Sequence, residues 1–260
     1  MLKIKNLNLK NRLHNITLDF HPQKHYAIIG PNGAGKSSLL STIAGLIRSS
    51  QYTGSIQLNS EEISRISTKK RAQKIALLSQ TISVGFDYRA KDIIAMGTYA
   101  CQLQKQVIDS KINELSDALE LNDLIDLPYD KLSGGQQRRV QLARVLLQLT
   151  ADKTENRDEC WLLLDEHSAG LDLYYQYESF NYIQKICSDH HIGIISILHD
   201  IPLVAKFADE VILLRGGSVI SQGNPHMVLL SQSFYDCFKA VTKYIQEEDS
   251  FIIKWEDKEN

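Results

Sequence analysis

The chain has 260 residues, with 29 basic and 31 acidic side chains and a net charge of −2. This balance excludes a nucleic-acid binder that relies on a basic face, so no nucleic-acid partner is expected. Hydrophobic residues make up 43% of the chain, beside only 14 glycines and 5 prolines, which excludes a disordered or collagen-like chain. No apolar stretch approaches the roughly 18 residues of a spanning helix.

The beginning of the chain and its cysteines indicate an intracellular protein. The segment MLKIKNLNLK alternates polar and apolar residues, and it lacks the apolar core of a signal peptide. The four cysteines are far apart and form no CxxC pair, so reduced thiols are expected rather than disulfides or zinc.

The first part of the chain reads mainly as strands. Alternation predicts strands within the first twenty residues, and an apolar run predicts a buried strand over His25–Ile29. A helix is predicted over Ser37–Leu46. Further strands are predicted around Ser55–Leu58 and Ile75–Leu78.

The rest of the chain combines a helical stretch with alternating strands and helices. Residues 87–149 show helical spacing, and the polar segment Thr150–Glu159 reads as a surface loop. Buried-type strands follow at residues 161–164, 192–198 and 211–214, separated by helices such as Leu173–Asp189. This alternation predicts an α/β core with parallel βαβ packing, interrupted by a helical insert.

The segment GPNGAGKS, here called the phosphate loop, fits the pattern GxxxxGK[ST] between a predicted strand and a predicted helix. Its glycines let successive backbone N–H groups surround phosphate oxygens, and the helix adds its positive dipole end. Lys36 is predicted to contact the β- and γ-phosphates, and Ser37 to bind Mg²⁺. The predicted ATP-binding residues are Gly30, Pro31, Asn32, Gly33, Ala34, Gly35, Lys36, Ser37 and Ser38.

Several polar residues follow predicted strands and are candidates for hydrolysis. Asp165 is predicted to hold Mg²⁺, and Glu166 to act as the general base that polarises water. His199 could reach the γ-phosphate and the attacking water. Gln80 could reach Mg²⁺ or the water. The alternatives are two acids that merely end a strand, a structural histidine and a solvated glutamine.

The segment LSGGQ, residues 132–136, here called the signature, predicts a second anion-binding helix start. Ser133 is a plausible N-cap, and Gly134 and Gly135 permit close approach to an anion. Because the phosphate loop already serves one nucleotide, this start must serve another phosphate or another subunit's nucleotide.

Taken in order, these motifs resemble the ATP-binding subunits of ABC transporters. In that family's terms they are the phosphate loop, Gln80 of the Q-loop, LSGGQ, WLLLDE at 161–166, AGLD at 169–172 as the D-loop, and His199 of the switch. The resemblance covers roughly residues 2 to 230. It implies a P-loop NTPase (RecA-like) core with an inserted α-helical subdomain, and ATP and Mg²⁺ as cofactors. The implied organisation is a nucleotide-binding domain over 1–230, with the insert at about 87–149, and a C-terminal extension over 231–260.

The resemblance also implies partners. Two copies would form a head-to-tail homodimer, in which the signature of one protomer faces the ATP of the other. The residues implied in this contact are Ser133, Gly134, Gly135 and Gln136, with Asp172 in the D-loop. The dimer would drive two transmembrane permease subunits, served by a periplasmic or surface binding protein. The chain would then lie on the cytoplasmic face of the inner membrane.

Within the family, the segments DKLSGGQQRRVQLARVLLQL and SILHDIPLVAKFADEVILLRGGSVISQGNP look similar to importers of iron complexes and cobalamin. We therefore expect import of haem first, ferric siderophore second and cobalamin third. A soluble non-transport ABC ATPase and an inactive regulatory subunit remain alternatives.

The chain departs from the family's pattern at several positions. His167 stands where the family usually has proline after the catalytic glutamate, Ser168 where threonine is common, and Gly170 lies in the D-loop. The family's adenine-stacking aromatic residue is not evident after the first strand. Arg12 and His14 are the alternative candidates for contact with adenine.

Overall fold

A computed structural model of the chain describes residues 1–80, 87–151, 159–168, 170–247 and 250–255. Its contacts divide the chain into two compact units. Met1–Ser64 and Ile195–Asn260 form the first, here called the phosphate-loop unit, and Arg65–Ile194 form the second, the signature unit.

Strands and helices alternate along much of the described chain. The strands are β1 (Leu2–Leu9), β2 (Leu13–Phe20), β3 (His25–Ile29), β4 (Tyr52–Leu58), β5 (Glu61–Glu62), β6 (Ile75–Leu78), β7 (Cys160–Asp165), β8 (Ile192–Ile197), β9 (Glu210–Arg215), β10 (Ser218–Gly223), β11 (Ala240–Ile245) and β12 (Ser250–Trp255). The helices are α1 (Lys36–Ile43), α2 (Thr68–Lys74), α3 (Ala90–Ala95), α4 (Lys105–Ala118), α5 (Gly134–Thr150), α6 (Leu173–Asp189), α7 (Ile201–Phe207), α8 (Pro225–Leu229) and α9 (Gln232–Phe238). Strand β8 crosses the division between the units and contributes residues to both.

The phosphate-loop unit contains an antiparallel sheet and a sheet with parallel pairing. The first has the order β2-β1-β4-β5, and Ile4 of β1 lies between Leu18 and Ile56. In the second, the order is β10-β9-β3-β8, with β3 and β9 parallel and Ile28 opposite Ile212. All five residues of β3 are buried, as expected for a strand covered on both faces. This strand leads directly into the phosphate loop.

The signature unit places helices against parallel strands, in the order β8-β7-β6. Strands β6 and β7 run parallel, with Leu78 opposite Leu164. Helix α5 is the centre of this unit's core, because Val140, Ala143 and Leu147 are all completely buried. These three residues carry the helical spacing visible in the sequence, so burial explains the pattern.

The structure confirms the α/β class and most predicted elements. The predicted helix Leu173–Asp189 coincides with α6, and the predicted strands at residues 161–164 and 211–214 lie in β7 and β9. The strand predicted at residues 192–198 is β8, which ends one residue earlier, at Ile197. Helix α1 is shorter than predicted because it ends at Ile43, and Gly45 follows in a left-handed conformation that favours glycine. The predicted loop from Thr150 begins later, since Thr150 is still helical, and residues 152–158 lie outside the described residues.

The last part of the chain contains structure that the sequence did not predict. Strands β11 and β12 pair antiparallel, with Tyr244 opposite Phe251. The ring of His226 lies 4.2 Å from that of Tyr244 and 5.0 Å from that of Phe251, which anchors the hairpin to α8. The proposed boundary at residue 230 stays a prediction. Among the residues that the structure describes, no helix combines the length and apolar composition needed to cross a membrane.

Candidate functional site

The phosphate loop is shaped by glycines at positions where a side chain would collide with backbone. Gly30 has a φ of 150°, and a Cβ there would lie 2.1 Å from the carbonyl oxygen of Leu214. Gly35 has a φ of 100°, and its Cβ would lie 2.7 Å from the carbonyl oxygen of Arg12. These close approaches require glycine, and they fix the loop between β3 and α1.

Lys36 holds its positive charge over the loop. Its side chain is buried, and Nζ donates hydrogen bonds to the carbonyl oxygens of Gly30 at 2.8 Å and Pro31 at 3.1 Å. Ser37, Asn32 and Gly33 are exposed beside it. A buried ammonium group beside an exposed, N–H-rich loop at a helix start is suited to bind phosphate.

The remaining predicted phosphate-loop residues secure the loop. The N–H of Ala34 donates to the carbonyl of Pro31, and the carbonyl of Ala34 accepts from the N–H of Gly217. Ser38 lies in the first turn of α1, and its backbone carbonyl accepts a hydrogen bond from the Thr42 hydroxyl. These contacts hold the backbone from both sides of the loop.

His199 belongs to the phosphate-loop unit and follows the end of β8. The preceding residue, Leu198, donates its N–H to the carbonyl of Ile28 in β3. His199 therefore directly follows a residue that is bonded to the strand leading into the phosphate loop. The His199 side chain is exposed, whereas the next residue, Asp200, caps α7 by accepting from the N–H of Leu203.

In the signature unit, the parallel register of β6 and β7 brings Gln80 and Glu166 together. Each follows by two residues a partner of the Leu78–Leu164 pair. The side-chain amide of Gln80 donates a hydrogen bond of 2.6 Å to Oε2 of Glu166. Glu166 adopts a φ of 52°, which is uncommon for a residue with a side chain. Asp165 is buried at the end of β7.

His167 is buried in the core of the signature unit. Its side chain is 1% exposed, and its ring packs edge-on against that of Phe180 in α6 with 4.3 Å between centroids. The residue that replaces the family's proline therefore attaches the turn after β7 to α6.

The signature forms the capped start of α5, as predicted for Ser133. Its hydroxyl accepts from the N–H of Gln136, and the side-chain oxygen of Gln136 accepts from the N–H of Ser133. A Cβ at Gly134 would have nothing within 4 Å, so Gly134 faces open space. Gly135 lies near Gly170, since its Cβ would be 3.8 Å from that residue's carbonyl oxygen.

The D-loop aspartate caps the next helix. Oδ1 of Asp172 accepts a hydrogen bond of 2.9 Å from the N–H of Tyr175 in the first turn of α6. Ala169, which begins the predicted AGLD segment, lies outside the described residues. Exposed apolar side chains follow the cap, with Leu173 80% and Tyr174 61% exposed.

The two adenine candidates lie beside the phosphate loop, and both have exposed side chains. The carbonyl of Arg12 lies against Gly35, and the N–H of His14 donates to the carbonyl of Gly217. Either side chain remains a predicted adenine contact.

Sequence reasoning did not find Arg138. This residue of α5 donates hydrogen bonds from Nη1 to the carbonyl oxygens of Gln80 at 3.0 Å and Ser79 at 3.4 Å. The pattern LSGGQQRRV shows an arginine here, but only the tertiary structure shows which strand end it reaches.

Comparison with known proteins identifies the family. Residues 13–153 match the family described as ABC transporter. The chain is 31% identical to the hemin import ATP-binding protein HmuV of Shewanella denitrificans, over 94% of each chain. It is 35% identical to the protein of the same name from Pseudomonas fluorescens, with 88% of this chain and 89% of the relative covered.

Solved structures support the same assignment. The structure of cbiO1 from Clostridium perfringens, described as part of the ABC transporter complex cbiONQ, is 28% identical with a TM-score of 0.72, over 90% of this chain and 92% of that one. A nucleotide-free ATP-binding cassette from an ABC transporter has a TM-score of 0.75 at 19% identity, over 92% of this chain and 98% of that one. The predicted ABC-type fold is confirmed, and the chain belongs to the ABC transporter family as an ATP-binding subunit whose ATP hydrolysis is coupled to transport.

Proposed function

We propose that this chain powers the import of haem, or another iron complex, through a membrane permease. Two relatives that match nearly the whole chain are named hemin import ATP-binding proteins, which supports this cargo. The observation that carries the hydrolytic part is the 2.6 Å hydrogen bond between Gln80 and Glu166, next to the buried Asp165.

The phosphate loop, residues 30–38, would bind the ATP phosphates. Gly30 and Gly35 have no side chains that would limit access of phosphate to the backbone, and the Lys36 ammonium lies over the loop. Lys36 would carry its charge to the β- and γ-phosphates. The N-terminal amides of α1 add donors and the positive end of the helix dipole.

The residues proposed for Mg²⁺ are Ser37, Gln80 and Asp165. Their oxygen donors suit this ion, which in nucleotide sites takes one or two carboxylates together with phosphate oxygens and waters. Within the described parts of the chain, no group of three or more His, Cys, Asp or Glu side chains could hold a metal ion. Held by these residues, Mg²⁺ would supply positive charge that offsets the negative charge of the phosphates.

Glu166 is the proposed general base. Its carboxylate accepts from the Gln80 amide, which holds one oxygen in place, and the carboxylate would orient an attacking water. His199 is proposed to contact the γ-phosphate through its exposed imidazole.

A head-to-tail homodimer is the proposed active state. Ser133 and Gly134 are exposed at the start of α5, and nothing in this chain lies where a Gly134 side chain would go. With Gly135 and Gln136 they would bind the ATP of the second protomer. Asp172 and the exposed Leu173 and Tyr174 offer further surface for the partner, because exposed apolar side chains often mark interfaces.

The dimer would act on two transmembrane permease subunits, supplied indirectly by a periplasmic or surface binding protein. Its proposed location is the cytoplasmic face of the inner membrane, as a peripheral subunit. The ATPase would supply force and timing, while cargo selectivity would lie in the membrane and binding-protein surfaces.

Uptake of single cargoes tests this function. A strain that lacks the chain is compared with strains complemented by the wild type or by the Lys36→Ala variant. Uptake of haem, a ferric siderophore and cobalamin is measured separately. We expect haem uptake to fall in the deletion strain and to return only with the wild type. Loss of cobalamin uptake alone would identify the chain as the ATPase of a cobalamin importer. Unchanged uptake of all three cargoes would contradict the proposal.

A further inference from the structure

Two adjacent arginines of α5 reach different parts of the signature unit. Arg138 is half-buried, and its Nη1 donates to the backbone carbonyls of Ser79 and Gln80, just after β6. Burial lowers the pKa of the Arg138 guanidinium, while the negative charges of Asp165 and Glu166 oppose that shift. The guanidinium therefore lies within the electrostatic reach of the acid pair.

Gln80 is held at two points by residues from different elements. Its backbone carbonyl accepts from Arg138 at 3.0 Å, and its side-chain amide donates to Glu166 at 2.6 Å. The Gln80 side chain is otherwise exposed, and an exposed glutamine has several rotamers of similar energy. When the Gln80 backbone is fixed, there are fewer positions from which the Gln80 side-chain amide can bond to Glu166.

Helix α5 connects this contact to the signature. The helix runs without interruption from Gly134 to Thr150, and Ser133 caps its first turn. Arg138 follows in the next turn. A displacement of the helix start would therefore move the guanidinium, and with it the backbone of Gln80.

We propose that Arg138 is a positioning residue for ATP hydrolysis: from the signature helix it holds the backbone of Gln80 so that the Gln80 amide meets the Glu166 carboxylate. The inference rests on the proposed role of Glu166 as general base. It adds a series of contacts through which a displacement of the signature would affect Glu166.

Arg139 offers a matched control on the same helix. Its Nη1 donates to the carbonyls of Leu119 at 2.9 Å and Glu120 at 3.1 Å, at the end of α4. Its guanidinium also lies over the ring of Tyr175, 4.3 Å from the centroid. These contacts stabilise packing among α4, α5 and α6, so removing Arg139 should affect stability before it affects turnover.

The experiment compares Arg138→Ala, Arg138→Lys and Arg139→Ala in the purified full-length chain. Phosphate release at saturating ATP gives kcat, and titration with a fluorescent ATP analogue gives nucleotide affinity. We expect Arg138→Ala to lower kcat about 10- to 100-fold, as losing an outer positioning contact does, with affinity unchanged within about twofold. Arg138→Lys should restore part of kcat, because an ammonium group can donate to one carbonyl. Arg139→Ala should keep kcat within about twofold of the wild type.

A second comparison keeps the test decisive if Arg138→Ala folds poorly. Arg138→Gln retains part of the stem and a donor, and it is combined with Gln80→Ala. Because Arg138 is proposed to act through Gln80, the double variant should turn over no more slowly than Gln80→Ala alone. A further drop in the double variant, or unchanged kcat in Arg138→Ala and Arg138→Gln, would overturn the inference.

Glu166→Gln separates this inference from the proposed function. If Glu166→Gln keeps normal turnover, the proposed function fails. If Glu166→Gln abolishes turnover while the Arg138 variants behave like the wild type, only the positioning role fails.

Discussion

The phosphate-loop unit and the signature unit arrange their functional residues by different means. In the first, the backbone does most of the positioning, since Gly30 and Gly35 permit approaches that no side chain would allow, and Lys36 bonds to loop carbonyls. In the second, the functional residues are held largely by side-chain hydrogen bonds, such as those between Gln80 and Glu166. We therefore expect side-chain changes in the signature unit to alter turnover while leaving nucleotide binding intact.

The helix starts of the two units show the same contrast. Helix α1 begins after Gly35, which has no side chain to accept a hydrogen bond from the N–H groups of the first turn. Helix α5 begins with Ser133, whose hydroxyl accepts from the N–H of Gln136. The start of α1 therefore lacks a side-chain cap, whereas the start of α5 is capped by side chains of the signature.

The largest effect is expected for a change in the signature unit that should lower ATP turnover but not ATP binding. Glu166→Gln removes the proposed general base but keeps the size of the side chain, so we expect turnover to fall by a factor of about 10²–10⁴. ATP affinity should stay near that of the wild type, and ATP should then trap a stable dimer on size-exclusion chromatography.

The control for this variant is Glu114→Gln, which changes an exposed glutamate of α4 in the same unit. It should leave turnover and oligomeric state unchanged. Near-normal ATP hydrolysis by Glu166→Gln would contradict the assignment of the base.

A mixture of two variants tests whether the two units act across a dimer. Lys36→Ala should weaken ATP binding about 10- to 100-fold, because a charged hydrogen-bond donor is lost. Ser133→Arg should leave binding by the monomer intact while blocking hydrolysis. A mixed dimer then contains one site with an intact Lys36 and an intact Ser133 from the other protomer.

Closed dimer is measured by size-exclusion chromatography with ATP, for each variant alone and for the mixture. We expect it only in the mixture. Absence of closed dimer from the mixture would count against the head-to-tail arrangement.

The smallest expected effect concerns a buried side chain of the phosphate-loop unit. His25 begins β3, is 2% exposed, and has Nε2 2.6 Å from the hydroxyl of Ser196. Burial lowers the pKa of His25 to about 4 from its ordinary value of 6.5. Between these two pH values, His25 therefore binds a proton in the unfolded chain but not in the folded chain. As a result, its contribution to the free energy of unfolding is complete above pH 6.5 and is lost as the pH falls towards 4.

We expect the free energy of unfolding to fall by roughly 1 kcal/mol between about pH 7.5 and about pH 5.5 because of this one residue. Urea unfolding at both pH values measures it, with His25→Gln as the reference that lacks the ionisable group. The wild type should lose more stability than the variant on acidification. Equal losses in both proteins would show that His25 is not held neutral by burial.

The comparison of the units also explains which parts of the site could be predicted. In the phosphate loop, residue type and spacing specify local backbone geometry, so GPNGAGKS predicted the strand, loop and helix order that the structure shows. Ser133 was likewise predicted as an N-cap because capping involves residues only three apart. The left-handed conformation of Glu166 was not predicted, since most residues with side chains avoid it.

By itself, the sequence determined the order of the buried strands, the helices with apolar spacing and the family motifs, because these are encoded by residues close together in the chain. Only the tertiary structure decided the contacts between distant segments. The parallel register of β6 and β7 brings Gln80 to Glu166, and the packing of α5 brings Arg138 to the carbonyl of Gln80. His167, which stands where the family usually has proline, packs against Phe180. Such contacts depend on strand register and helix packing, which many distant residues set together.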